Sequence, residues 1–215
     1  MEAFASKVLH KRWLSENTFV LRLERHGMGF RTGQYIVVGI GSDSREYSIY
    51  SGEQDAYLEI LVRRVDNGTI SRKLSLLEEG SSVSVEGPYG FFVPNPEEVQ
   101  EKNVVLVATG TGIAPFRSFV RSLPGFNYHI LHGTRYSSEA YEHNAYDSGR
   151  LTFCTTREKG TDFHGRVTDY FRMYMKPDQQ SIYYLCGNSA MIEEMADYLE
   201  EHDIDPFDIR SEAFF

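Results

Sequence analysis

From residue 3 to residue 90 apolar and polar positions alternate in short runs: FVLRLERH, GQYIVVGIG, REYSIYS, AYLEILVRRV and SSVSVEG, parted by Gly, Asn, Asp and Ser. A period of two broken this often predicts many short antiparallel strands, gathered into a sandwich or barrel. One insert departs from it. TISRKLSLL, residues 69–77, carries Ile70, Leu74 and Leu77 at helical spacing after the DNG turn at 66–68, which predicts an isolated helix. GFFVPNPEEVQEKN reads as a linker or lid, and beyond it the period changes. NVVLVATG is a continuous apolar run suited to a parallel strand buried on both faces. After it come helix-like APFRSFVRSL, strand YHILHG, a polar helix near 137–148, strand LTFCTT, helix VTDYFRMYM, strand SIYYLCG, helix AMIEEMADYLEEH and a last strand FDIRSEAFF. Strands alternating with helices predict a doubly wound parallel sheet. The division expected is an antiparallel β-barrel domain over residues 1–97 and an α/β domain over residues 98–215.

Composition narrows the function classes. The hydrophobic fraction of 41% and charged fraction of 25% are those of an ordinary globular protein. No basic segment followed by an apolar run opens the sequence and no stretch of 18 apolar residues occurs, so the expectation is a cytosolic protein with no membrane span. Two cysteines, Cys154 and Cys186, are too few to ligate an iron-sulfur cluster. The seven histidines lack metal-ligand spacing; His129 and His132, three apart on an expected strand, should face opposite ways as structural residues. A formal net charge of -9 argues against nucleic-acid binding. The charge is uneven: residues 1–96 hold 11 basic and 12 acidic groups, residues 97–215 hold 11 and 19. An acidic partner would therefore meet the first half more readily.

Two glycine-bearing turns are candidate phosphate cradles. In VATGTGIAPF a buried strand runs into Gly110, Thr111 and Gly112 and then a helix with Pro115 in its first turn, at the strand end where parallel sheets bind ligands. In NGTISRKL a turn glycine leads into the isolated helix, where Thr69 would serve equally as an ordinary N-cap. The neighbouring stretch SREYSIYSG adds a cation, an aromatic ring and a hydroxyl at Arg45, Tyr47 and Ser48, which read either as a solvated arginine, a half-buried strand tyrosine and a turn serine or as a set suited to a ligand with both a phosphate and a flat ring.

Taken together, RxYS at 45–48, GxxS at 68–71, GxGxxPF at 110–116, CGN at 186–188 and an acid-plus-aromatic tail resemble the ferredoxin-NADP reductase family, most closely its compact bacterial ferredoxin or flavodoxin reductases. The resemblance runs in order along nearly the whole chain. It implies an FAD site in the first domain, with Arg45 on the pyrophosphate, Tyr47 stacked on the isoalloxazine, Ser48 near flavin N5, and Gly68, Thr69, Ile70 and Ser71 cradling the pyrophosphate. It gives Gly110, Thr111 and Gly112 to the pyrophosphate of NADP(H), places Cys186, Gly187 and Asn188 around the nicotinamide, and makes Ser48, Cys186 and Glu212 the catalytic set. Phe214 would cover the flavin, with Phe215 beyond it. Arg135 and Arg157 follow successive strands and, with Arg166, would meet a 2'-phosphate, which favours NADPH. The implied enzyme is a monomeric flavoprotein reductase passing electrons to ferredoxin or flavodoxin, steered by Lys7, Lys11, Arg12, Arg63, Arg64, Arg72 and Lys73. Alternatives are an NADH-dependent reductase component of an oxygenase, a free-flavin reductase, or a flavin-binding electron-transfer subunit of a larger complex.

Overall fold

The computed structural model describes residues 3–214. In chain order the elements are β1 (Phe4–Trp13), β2 (Thr18–Glu24), β3 (Tyr35–Ile40), β4 (Asp43–Ser48), β5 (Tyr57–Arg63), α1 (Thr69–Ser75), β6 (Ser82–Tyr89), α2 (Pro96–Glu101), β7 (Asn103–Thr109), α3 (Ala114–Ser122), β8 (Tyr128–Thr134), β9 (Leu151–Thr155), β10 (Phe163–His164), α4 (Val167–Tyr174), β11 (Ser181–Gly187), α5 (Ser189–Glu200) and β12 (Ile209–Ala213). They form two compact units, one running to Val93 and including Ala114–Ser122, the other comprising Pro94–Ile113 and the chain from Leu123 onward.

The first unit is a six-stranded sheet in the order β4-β3-β6-β1-β2-β5, every ladder antiparallel. A bridge between Ile49 and Ile60 joins its two edges, closing the sheet into the expected barrel. Alternation does the sorting. In β6 Val83 and Val85 point inward between exposed Ser82 and Ser84, and in β2 Phe19, Leu21 and Leu23 are buried. Ile70 and Leu74 of α1 complete this core, as their helical spacing requires. β1 carries no clean apolar alternation, because its inward positions near the start are Ser6 and Val8 and its register shifts between Val8 and His10.

The helix that follows the glycine turn, α3, packs within this first unit. Ser118 Oγ donates to Ser51 O at 2.7 Å and Thr32 Oγ1 donates to Ser118 Oγ at 2.8 Å, while Phe116 and Phe119 meet Phe92. At its centre lies the fully buried carboxylate of Glu59. Arg12 donates to it at 2.8 Å, Arg22 at 2.9 Å and Arg117 of α3 at 3.2 Å, and Arg117 also donates to Tyr50 O at 3.0 Å. Burial opposes ionisation, yet the Arg12 hydrogen bond and the charges of Arg12 and Arg117 outweigh it and hold the carboxyl below its ordinary range.

The second unit is the doubly wound element. Its six strands lie in the order β10-β9-β8-β7-β11-β12, every pair parallel. Val105, Val107, Leu131 and Leu185 of the central strands pack against Phe171 of α4 and Met195 and Leu199 of α5. Two expectations need correction. The linker or lid after Gly90 contains α2, because Asn95 accepts from Glu97 N–H, Pro96 opens the turn and Val99 is buried. The polar helix near 137–148 is instead three 3-10 turns, Ser137–Glu139, His143–Ala145 and Ser148–Arg150. Glu142 at φ 52 interrupts the run, and Asp147 spends its carboxylate on Gly149 N–H, so local side-chain bonds replace a helix.

Candidate functional site

In the barrel unit the RxYS segment occupies the last four residues of β4, with Tyr47 opposite Ile36 and Ser48 opposite Tyr35. Arg45 is exposed and Ser48 is buried. The Tyr47 ring packs on the barrel core, and its buried hydroxyl has no hydrogen-bond partner. Burial pushes that phenol up to about 12, against the opposing charge of Arg45. The N-cap of α1 is Gly68, not Thr69, and no side chain caps it. Ser71 Oγ instead accepts from Val65 N–H at 3.2 Å and tightens the turn into the helix. Thr69, Ile70 and Ser71 thus start a helix whose first N–H groups receive no side-chain cap, and Lys73 Nζ, 2.5 Å from Asp43 Oδ2, ties that helix to the start of β4.

The surrounding cations divide. Arg12 is spent on Glu59, Lys11 donates to Ser75 O at 2.7 Å, and Lys73 is paired with Asp43. Arg63 and Arg72 are exposed, and Arg64 lies over the Trp13 ring at 5.4 Å. Arg64, Asp66, Arg72, Ser75 and Leu76 line a cleft of about 400 Å³.

In the parallel unit β7 ends at Thr109 and a 3-10 turn, Gly110–Ile113, follows. Gly110 has φ +55 and open space where a Cβ would stand. Gly112 is different: a Cβ there would lie 2.3 Å from Cys186 O, so its missing side chain lets the turn close onto β11. Thr109 Oγ1 accepts from Asn188 N–H at 2.9 Å, and Asn188 Oδ1 caps α5 through Ala190 and Met191. The Gly110–Gly112 turn and the Cys186–Asn188 corner are therefore one packed rim at the carboxyl ends of β7 and β11.

Cys186 is fully buried, and burial, then the nearby charge of Glu212, pushes its thiol well above the ordinary range, so it is a neutral thiol and not a nucleophile. Its register partner on β12 is Glu212, and Phe214 N–H donates to Gly187 O at 2.8 Å, which brings the C-terminal aromatic to the same corner. Phe215 lies outside the described residues. Arg135 and Arg157 emerge beyond β8 and β9, both exposed, and Arg157 N–H donates to Arg135 O at 3.0 Å. Arg166, before α4, is exposed and stands 4.0 Å from Glu194. Cys154 is buried and its thiol is pushed up to about 12 by burial, then by the charges of Asp162 and Asp169.

Sequence reasoning missed two groups of polar residues. One is Glu59 with Arg117, whose only signal was a carboxylate inside the apolar run AYLEILVRRV. The other is His132, buried on β8, with Nε2 2.9 Å from Gly110 O and Nδ1 2.7 Å from His143 Nε2.

Comparison with known proteins also gives two domains, with α3, which packs in the first unit, falling inside the second match. Residues 6–93 match the family described as the oxidoreductase FAD-binding domain, and residues 106–197 match the oxidoreductase NAD-binding domain. Ferredoxin–NADP reductase of Pseudomonas aeruginosa is 28% identical over 232 residues, covering 92% of this chain and 89% of that protein. The chain belongs to the ferredoxin-NADP reductase family. The probable dihydroorotate dehydrogenase B (NAD(+)) electron transfer subunit of Methanopyrus kandleri is 28% identical over 203 residues, covering 93% of this chain and 75% of the relative. The ferredoxin NADP+ reductase of Neisseria gonorrhoeae, solved with bound FAD and NADP, superposes with a TM-score of 0.88 at 20% identity and full coverage of both chains, which shows the shared fold. Family membership makes this chain an FAD- and pyridine-nucleotide-binding flavoenzyme. No helix among the described residues is long and apolar enough to cross a membrane.

The barrel residues fit FAD on their own chemistry. A dianionic pyrophosphate suits a helix start that lacks a side-chain cap, an exposed Arg45 lies on β4, to which that helix is tied, and the buried Tyr47 hydroxyl offers a donor awaiting an acceptor.

Proposed function

We propose that the chain oxidises NADPH and passes the electrons to a small protein carrier of the ferredoxin or flavodoxin kind. The observation that carries this is a pair of exposed arginines, Arg135 and Arg157, just beyond the ends of neighbouring parallel strands and joined by a backbone hydrogen bond. A 2'-phosphate needs charge-assisted donors from two directions, and this pair supplies them where parallel sheets bind ligands. Arg166 adds a third cation on the same unit.

When bound, FAD supplies the chemistry, taking two electrons as hydride from the nicotinamide and releasing them one at a time. The chain's residues bind and orient. Arg45 and the first turn of α1, with Gly68, Thr69, Ile70 and Ser71, would hold the FAD pyrophosphate, while Tyr47 would offer its ring and Ser48 its hydroxyl to the isoalloxazine. On the second unit Gly110, Thr111 and Gly112 present backbone donors to the nucleotide pyrophosphate. Neutral Cys186, with Gly187 and Asn188, forms an uncharged wall for nicotinamide, flanked by Glu212 and Phe214. The partner's dock on the barrel unit is the surface of Arg63, Arg64 and Arg72 around the Leu76 cleft, with Trp13 beside it. Lys11, Arg12 and Lys73 contribute less because internal contacts occupy them.

The electron-transfer subunit among the relatives supports a second reading, in which the chain serves a larger complex and prefers NADH. Release of the bound flavin identifies the cofactor first: FAD is expected, and Arg45→Ala together with Ser71→Ala should lose most of it. Turnover of NADPH by the isolated chain with ferricyanide then separates the readings. NADPH oxidation well above NADH oxidation supports the reductase; activity with NADH alone supports the subunit.

A further inference from the structure

His132 lies in the middle of β8, between the register positions of Ala108 and Phe153, with no exposed surface. A buried imidazole in an apolar sheet needs a reason, since its two nitrogens require partners. Both have one. Gly110 O, 2.9 Å from Nε2, is a carbonyl and can only accept, so Nε2 carries the hydrogen. Burial, together with the neighbouring His143, holds His132 neutral down to about 3, so Nδ1 is bare and accepts from His143 Nε2–H at 2.7 Å. Burial likewise lowers His143 to about 4, against the opposing charge of Asp162, and its ring rests edge-on against Phe153 at 4.4 Å. The hydrogens therefore run one way, from His143 through His132 to the glycine turn.

That last bond has a directional consequence. Across a trans peptide the carbonyl and the following N–H point in opposite directions. Gly110 O is drawn towards the buried His132, so the Thr111 N–H of the same peptide unit points away from the imidazole. Gly110, at φ +55 and with no side chain to hold it, opens the 3-10 turn Gly110–Ile113, and the His132 bond adds a fixed direction to its carbonyl.

We infer that His132, oriented by His143, is a positioning residue that fixes the Gly110–Thr111 peptide so that the Thr111 N–H serves the pyrophosphate of the pyridine nucleotide. The inference rests on the proposed nucleotide role of the Gly110–Ile113 turn. It assigns His132 no contact with the ligand and no proton transfer.

The test measures binding by calorimetry with NADP+, NAD+ and 2'-AMP. His132→Phe keeps a ring against Phe153 but removes the donor, and NADP+ and NAD+ should both bind about tenfold more weakly, the scale of one oriented hydrogen bond. Binding of 2'-AMP, which has no pyrophosphate, should match wild type, as should flavin content and kcat at saturating nucleotide. His132→Gln restores a donor towards Gly110 O and should recover most of the affinity. His143→Phe leaves His132 free to exchange tautomers and should lose about threefold, between wild type and His132→Phe; it also replaces His132→Phe should that variant fold poorly. Unchanged dinucleotide affinity in His132→Phe, a loss that His132→Gln shares, or an equal loss for 2'-AMP would overturn the inference. Absence of nucleotide binding by the wild-type chain would instead overturn the reading of the turn itself.

Discussion

Each unit buries a polar cluster, and the two solve the problem differently. In the barrel the cluster is charged: Glu59 lies among Arg12, Arg22 and Arg117, and its ionised state survives burial because cations surround it. In the parallel unit it is neutral: His132 and His143 are uncharged, and a single file of hydrogen bonds runs from one through the other to Gly110 O. A charged cluster holds elements together through strong interactions tolerant of direction, which suits anchoring α3 to a barrel. A neutral chain is weaker and directional, which suits aiming one peptide. Buried polarity thus marks an anchor in one unit and a pointer in the other.

The largest test of that contrast is Glu59→Gln. It keeps the shape but leaves Arg117 buried without its carboxylate, and chemical denaturation should show a loss of about 3–5 kcal/mol. A loss below about 1 kcal/mol would mean that the cluster is not the anchor described.

Acid separates the two clusters by pH window. The histidines are depressed in the folded chain, so the unfolded chain takes up protons near 6.5 while the folded chain waits until about 4 and about 3. Their contribution is present above 6.5 and is lost as pH falls towards 4, at about 3 kcal/mol for His143 alone. Glu59 is also depressed, so its contribution holds above the ordinary carboxyl value of 4.5 and is lost only below that. The stability of the parallel unit should fall as pH drops from 6.5 to 4.5, and His143→Phe should flatten that slope. A slope unaltered in the variant would contradict the neutral pair.

Nucleotide choice gives the next effect. Replacing both Arg135 and Arg157 by alanine should cut the NADPH-over-NADH preference about a hundredfold, roughly tenfold for each guanidinium lost, while NADH kinetics stay near wild type. The smallest effects lie within the glycine turn. Gly112→Ala would force a Cβ against Cys186 O and should cost about 1–3 kcal/mol. Gly110→Ala meets no atom and should cost only about 1 kcal/mol for its left-handed backbone. Reversal of that order would mean that Gly112, not Gly110, is the position with room.

The sequence told these regions apart unequally. The periods of two and of mixed strand and helix were legible because each strand sorts its own side chains, as Val83 and Val85 do in β6. β1 was hidden by its bulge and polar inward residue Ser6, and the run at 137–150 read as a helix because Glu142, Asp147 and Gly149 act through local turns that periodicity does not register. Motif spacing singled out Arg45–Ser48, Gly68–Ser71 and Gly110–Gly112 as candidates, but the close contact of Gly112 with β11 depends on strand order. Glu59 and His132 were illegible because their partners come from 47 and 58 residues away in one case and from a backbone carbonyl 22 residues away in the other.

The most direct measurement is the visible spectrum of the purified protein under anaerobic conditions, recorded while NADPH and, in a parallel sample, NADH are titrated in. The account predicts oxidised-flavin bands that bleach at near-stoichiometric NADPH and far less readily with NADH. Bands that NADH bleaches as well as NADPH, or that neither nucleotide bleaches, would contradict it.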